Sequence, residues 1–146
     1  MLTASTTKLD LIETTQDGNP EHRVDVEFPI NIHTGSADSA VVYFEVLPGH
    51  RLATHTDSEE EVLYIVQGEG EAEVGDERAS ISAGDLAVVP AMVPHGIRNT
   101  GEERLKVVGF FSGAKIVSEF ESPLQPVNAT VLEMGAPPPA VAAATA

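Results

Sequence analysis

Turn-forming residues interrupt this chain at close intervals, and no segment between them carries a sustained helical period. Gly68-Glu69-Gly70, Gly75-Asp76, Gly84-Asp85 and Asn99-Thr100-Gly101 follow one another through the middle of the sequence, each supplying a residue that tolerates positive φ. The runs between them are short and β-rich. Val24, Val26 and Phe28 alternate with Asp25 and Glu27, as in a strand with one buried face. About nine strands are predicted on this basis, at 23–32, 40–47, 51–55, 61–67, 70–74, 78–81, 85–89, 95–99 and 105–111. Residues 113–121 form a final strand or a short helical turn. Many short strands at such spacing give an all-β sandwich or small barrel.

At 146 residues the chain has the usual size of one domain, so a single core must carry the function. We divide it into an N-terminal arm (1–22), the barrel (23–132) and a tail (133–146). Pro137, Pro138 and Pro139 followed by Ala-rich residues give that tail little to pack, and disorder is expected there. Twenty-three acidic against eight basic residues leave a net charge of -15, which repels nucleic acid and anionic membranes. Residues 1–18 lack the apolar segment of a signal peptide, and no run approaches the ~18 apolar residues of a membrane helix. A cytoplasmic protein is expected. Without cysteine, a metal site would have to be built from His, Asp and Glu.

Chemistry-bearing residues concentrate in two places. In the first, His55 and Asp57 stand two apart, so on a strand they share a face. A short acidic loop leads to Glu61 at the start of the next strand, and a hairpin would return its carboxylate beside them. In the second, Pro90 and Pro94 bound a turn that sets His95 at the start of a strand. Two imidazoles and a carboxylate with open positions form the facial set of non-haem iron oxygenases.

At these residues the sequence resembles the cupin superfamily, whose motifs read G-x5-H-x-H-x3,4-E-x6-G and G-x5-P-x-G-x2-H-x3-N. Gly49, His55, Glu61 and Gly68 fit the first, and Gly84, Pro90, His95 and Asn99 fit the second. The resemblance implies a small antiparallel barrel, a double-stranded β-helix or jelly roll, around a divalent ion held by His55, Glu61 and His95. It also implies a homodimer formed through exchanged N-terminal strands, with the arm long enough to reach a partner.

Two positions depart from the pattern. Asp57 replaces the second histidine of the first motif. It either binds the ion through oxygen, giving a neutral site suited to Mn²⁺, Fe²⁺ or Zn²⁺, or falls back and leaves a triad of two His and one Glu. Met92 replaces a glycine of the second motif and is expected to alter the turn and to lie near the cavity mouth.

Strand parity puts Glu61, Leu63 and Ile65 on one face and Tyr64 outside, and it groups His95 with Ile97. Leu63, Ile65 and Ile97 are therefore expected to line the substrate pocket with Met92, and Arg51, sharing parity with His55, is the sole basic candidate. Such walls fit a small, partly hydrophobic organic substrate. The leading expectation is an Fe(II)-type dioxygenase in which Asp57 and Glu61 are the catalytic carboxylates and the ion is Fe, Mn, Ni or Zn. The alternatives are a non-redox isomerase, lyase, decarboxylase or cyclase, in which Asp57 moves the proton, and a cupin that binds a ligand without catalysis. In the blandest reading His55 and His95 are hydrogen-bonded core histidines. Glu59 and Glu60 read as a solvated loop, His50 as a rim residue, and His22 and His33 carry no spacing signal.

Overall fold

The computed structural model describes residues 1–134 as twelve strands: β1 (Ile12–Gln16), β2 (Asn19–Ile30), β3 (Ala40–Val46), β4 (Arg51–Asp57), β5 (Glu61–Gln67), β6 (Glu69–Val74), β7 (Glu77–Ser82), β8 (Leu86–Val89), β9 (His95–Asn99), β10 (Leu105–Phe111), β11 (Ile116–Gln125) and β12 (Ala129–Met134). Among the described residues none is in an α-helix, and no helix is long and apolar enough to cross a membrane. The strands form one sheet in the order β7-β6-β9-β4-β11-β1-β2-β3-β10-β5-β8, with β12 added to β11 and a parallel contact between β2 and β4. The sheet curls into a barrel, so that strands near its two ends face each other across the interior.

Inward positions alternate along the strands as the sequence predicts. Val24, Val42, Phe44, Val46, Ile65, Leu105, Val107 and Ile116 are buried in the main core, and burying each large aliphatic side chain is worth roughly 1.5–3 kcal/mol. A smaller cluster of Ala53, Phe120 and Leu124, flanked by Leu52 and Leu132, fills the other end.

Two expectations are corrected and one open alternative is decided. Residues 12–22, read as part of a free arm, form β1 and the start of β2; β1 lies between β2 and β11 of its own barrel. Of the two readings of 113–121, the final strand is the one that forms, most of the segment lying in the ten-residue strand β11. The expected hairpin between β4 and β5 does not form, since β4 pairs with β9 and β11 while β5 pairs with β10 and β8. The acidic loop between them carries the chain from one wall of the barrel to the other. The tail is described as far as Met134, in β12; its remaining residues, 135–146, lie outside the described residues.

Candidate metal centre

His55 and Asp57 project inward from β4, and the antiparallel ladder sets His95 of β9 directly opposite His55. The two imidazoles lie 4.2 Å apart at their ring centroids. The Asp57 Oδ2 atom lies 3.0 Å from His95 Nε2 and 3.5 Å from His55 Nε2. Glu61 reaches in from β5 on the facing wall, its Oε1 3.8 Å from His95 Nε2. All four side chains are buried, Asp57 with 3% of its surface exposed.

Each ring is oriented by its other nitrogen. His55 Nδ1–H donates to the Ala53 carbonyl (2.8 Å) and His95 Nδ1–H to the Val93 carbonyl (2.9 Å), which turns both Nε2 atoms toward the carboxylates. Holding a ring through its remote nitrogen is how proteins prepare a histidine for a metal. Ser118 donates its hydroxyl to Asp57 Oδ1, leaving Oδ2 toward the imidazoles, and Phe120 stacks on His55 at 4.6 Å. Gly109 makes room for Glu61, because a Cβ there would overlap the Glu61 carboxylate.

The electrostatics are those of a site built around positive charge. Burial pushes the Asp57 carboxyl up, but hydrogen bonds and charge from His55 and His95 outweigh this and hold it well below the usual carboxylate range. Burial, reinforced by the charge of Asp57 and opposed by His95, pushes Glu61 up to about 8. For His95, burial lowers the pKa, and the larger combined effect of Asp57, the Val93 carbonyl and Glu61 raises it. Two carboxylates buried this closely repel each other and are costly to keep without a counter-charge. His95 Nε2 is buried and makes no well-aligned hydrogen bond, although Asp57 Oδ2 lies 3.0 Å away. An orphaned imidazole lone pair facing two carboxylates fits a divalent cation, and a donor set of nitrogen and oxygen without sulfur suits the harder first-row ions. Donor atoms of His55, Asp57 and His95 lie within 4.8 Å of one another; Glu61 borders that group from across the barrel.

A family model for the cupin domain matches residues 42–111, which hold all four of these side chains. Residues 42–111, just under half of the chain, thus make up a cupin domain. Its barrel is similar to that of a predicted oxalate decarboxylase from Thermotoga maritima (TM-score 0.67, 19% identity, 77% of this chain and 99% of that one). It is likewise similar to the polyketide cyclase RemF from Streptomyces resistomycificus (TM-score 0.64, 18% identity, 76% and 78%). Salicylate 1,2-dioxygenase from Pseudoaminobacter salicylatoxidans shares the fold more distantly (TM-score 0.53, 21% identity, 61% and 26%). An uncharacterized protein of Methanocaldococcus jannaschii is 28% identical over 78 residues, 53% of this chain and 62% of that protein; the match thus spans less than two thirds of the relative's length.

The centre of this cupin opens into a cavity of about 450 Å³. Its walls are mainly apolar, with Val42, Phe44, Leu63, Ile97, Phe111 and Phe120 prominent, and no Lys or Arg lines it among the described residues. Leu63 and Ile97 thus stand where parity puts them. Ile65 shares their face but is absent from the cavity wall and packs in the main core. Arg51 also stays off the wall. The β4–β9 register shifts between Leu52 and His55, which breaks the parity count; the Arg51 guanidinium donates to Thr54 Oγ1 and lies 3.8 Å from Glu73, while Leu52 faces the cavity.

Met92 lies outside the cavity lining as well, 59% exposed. It takes a positive φ of 64°, and its N–H donates to the Asp57 carbonyl. The turn keeps the shape a glycine would give it. His50 Nδ1–H donates to the Glu21 carbonyl at 3.1 Å. Asn99 anchors loops, donating to the Val46 and Glu103 carbonyls.

Sequence reasoning missed Thr14, His22, Ser118 and Phe120, all of which line the cavity. They belong to β1, β2 and β11, outside both motifs, and only the alternation in β11 could have pointed inward to the last two.

Proposed function

We propose that this cupin is an enzyme of the Fe(II) oxygenase type that acts on a small, largely apolar organic substrate, with His55, His95 and Glu61 holding the ion and Asp57 as a fourth ligand or a base. The observation that carries this reading is the convergence of two imidazole nitrogens and two carboxylates, one imidazole orphaned, on an apolar cavity. A divalent ion bound there would supply Lewis acidity toward substrate oxygens and a place for O₂. The residues do the rest. His55 and His95, locked through Nδ1, present fixed donors. Ser118 holds one oxygen of Asp57 and leaves the other for the ion or a substrate proton. Glu61 enters from the opposite wall and, beside Asp57, is the second carboxylate placed to take a proton. The walls around Phe44, Leu63 and Ile97 exclude water and orient an apolar substrate, and the lack of lining cations disfavours strongly anionic ones.

One observation favours a second reading, a non-redox isomerase, lyase, decarboxylase or cyclase. Asp57 lies as close to the imidazoles as a ligand must, and a fourth protein donor leaves a six-coordinate ion about two open positions, enough for a chelating substrate without O₂. Elemental analysis of protein purified without an affinity metal, paired with an oxygen electrode, separates the readings. Near-stoichiometric Fe in wild type, lost in His95→Ala, with substrate-dependent O₂ uptake is the expected result. Bound Zn or Mn and turnover without O₂ uptake would establish the second reading. Wild type that carries and takes up no metal would overturn both, and ligand affinity that survives metal removal without turnover would make the protein a binding module. Metal retained in Asp57→Ala would place Asp57 behind the ligands.

A further inference from the structure

His22 is 1% exposed, lines the cavity, and has no part in the ligand set. Its hydrogen bonds fix a single tautomer. The Ala53 N–H donates to His22 Nδ1 at 3.0 Å, so that nitrogen carries no proton. Thr14 donates its hydroxyl to the Val24 carbonyl at 2.8 Å, so at its 3.0 Å contact with His22 the threonine oxygen accepts from Nε2–H. Both ring nitrogens are satisfied, and burial, with the charges of His55 and Arg51 adding to it, lowers the His22 pKa to about 4. The ring is neutral at physiological pH.

The residue that His22 holds is the one that orients His55. Ala53 gives its N–H to His22 and accepts the Nδ1–H of His55 on its carbonyl at 2.8 Å. It lies where the β4–β9 register shifts, a point at which a strand needs outside support. A second route joins the same two rings: the edge of Phe120 meets His22 in a T-shaped contact at 6.2 Å, while its face stacks on His55.

We propose that His22 is a positioning residue for the metal centre, fixing the plane and tautomer of His55 through the backbone of Ala53 and the Phe120 ring. The proposal rests on the metal reading above for its purpose, but the linkage itself exists without an ion. His22 is contributed by β2, a strand outside both cupin motifs, so the N-terminal part of the chain reaches the site through this contact.

The test compares His22→Gln, whose amide can accept from Ala53 and donate to Thr14, with His22→Leu, which fills the space and can do neither. With Co²⁺ as the probe, His22→Leu is expected to bind about 10–100-fold more weakly, the usual effect of losing a group that orients a ligand, and to shift the visible spectrum of bound Co²⁺. His22→Gln is expected to recover most of the affinity and the wild-type spectrum. Wild-type affinity and an unchanged spectrum in a folded His22→Leu would overturn the proposal. Histidine ¹⁵N NMR of wild type decides the matter should that variant not fold: a proton on His22 Nε2 and on His55 Nδ1 supports the linkage, and a proton on His22 Nδ1 overturns it. Wild type that takes up no Co²⁺ would remove the metal reading, and the NMR result would still judge whether His22 holds His55.

Discussion

Met92 occupies a backbone conformation that costs an L-residue roughly 1–2 kcal/mol and a glycine almost nothing. Its side chain recovers little, being largely exposed and away from the cavity. Met92→Gly should therefore stabilise the protein by about 1 kcal/mol, less a few tenths for the added freedom of the unfolded chain. Urea unfolding of the two proteins measures it, and a glycine variant of equal or lower stability would show that the side chain contributes packing after all. At the same scale, the ligand positions were legible in the sequence because motif spacing counts residues and needs no knowledge of the path between them. Arg51 was misplaced because parity holds only while the ladder is regular, and β4 is irregular between Leu52 and His55. His22 was illegible because its partners, a backbone amide on β4 and a threonine on β1, leave no periodic trace.

Among the elements, β1 shows how a strand can hide. Its sequence, Ile-Glu-Thr-Thr-Gln, turns the polar side chains of Thr14 and Gln16 inward, so the apolar alternation that marks a strand is missing. Those inward groups are satisfied locally: Thr14 by His22 and the Val24 carbonyl, Gln16 by donating to the Ser122 carbonyl. Most of the residues before β1 are exposed coil. A chain beginning at residue 11 should keep its stability to within about 1 kcal/mol, as surface changes usually do. A chain beginning at Asn19 uncovers β2 and β11, opens the cavity at Ile12 and Thr14, and should lose much of the ~5–15 kcal/mol typical of a domain. Thermal melts of both truncations read this; equal melting points would mean that β1 is dispensable. The strands that were legible, such as β3, β5 and β10, are those whose buried face is lined with Val, Leu, Ile or Phe.

For the whole molecule, stability depends on pH through groups buried in one protonation state. His22 is ordinary in the unfolded chain, near 6.5, and lowered to about 4 in the fold. Between those values the unfolded chain binds the extra proton, so this contribution is fully present above pH 6.5 and is lost as pH falls through 4, on the order of 3 kcal/mol in all. Glu61, raised to about 8, acts in the opposite sense from about 4.5 to 8, and Asp57 acts only below the His22 window; both are common to wild type and variant. The wild-type denaturant midpoint should therefore fall more steeply from pH 6.5 to 4 than that of His22→Gln, and parallel curves would contradict the buried neutral imidazole. The all-β class was legible at this scale from turn spacing and the barrel from the motif resemblance, whereas the order of strands did not follow from residue spacing, because pairing between distant segments depends on the closure of the barrel.

That order bears on how the site comes into being. His55 and Glu61 are six residues apart in sequence, yet even by the shortest route round the sheet, through the β2–β4 contact, the path between them runs β4-β2-β3-β10-β5. The neighbouring pairs β6–β7 and β11–β12 can zip from local contacts, and the β4–β9 pair by itself gathers His55, Asp57 and His95, but Glu61 joins them only once β2, β3 and β10 link β4 to β5. An ion held by all four would thus tie the β4–β9 pair to the facing wall, and so act as a clasp that closes the circuit of strands.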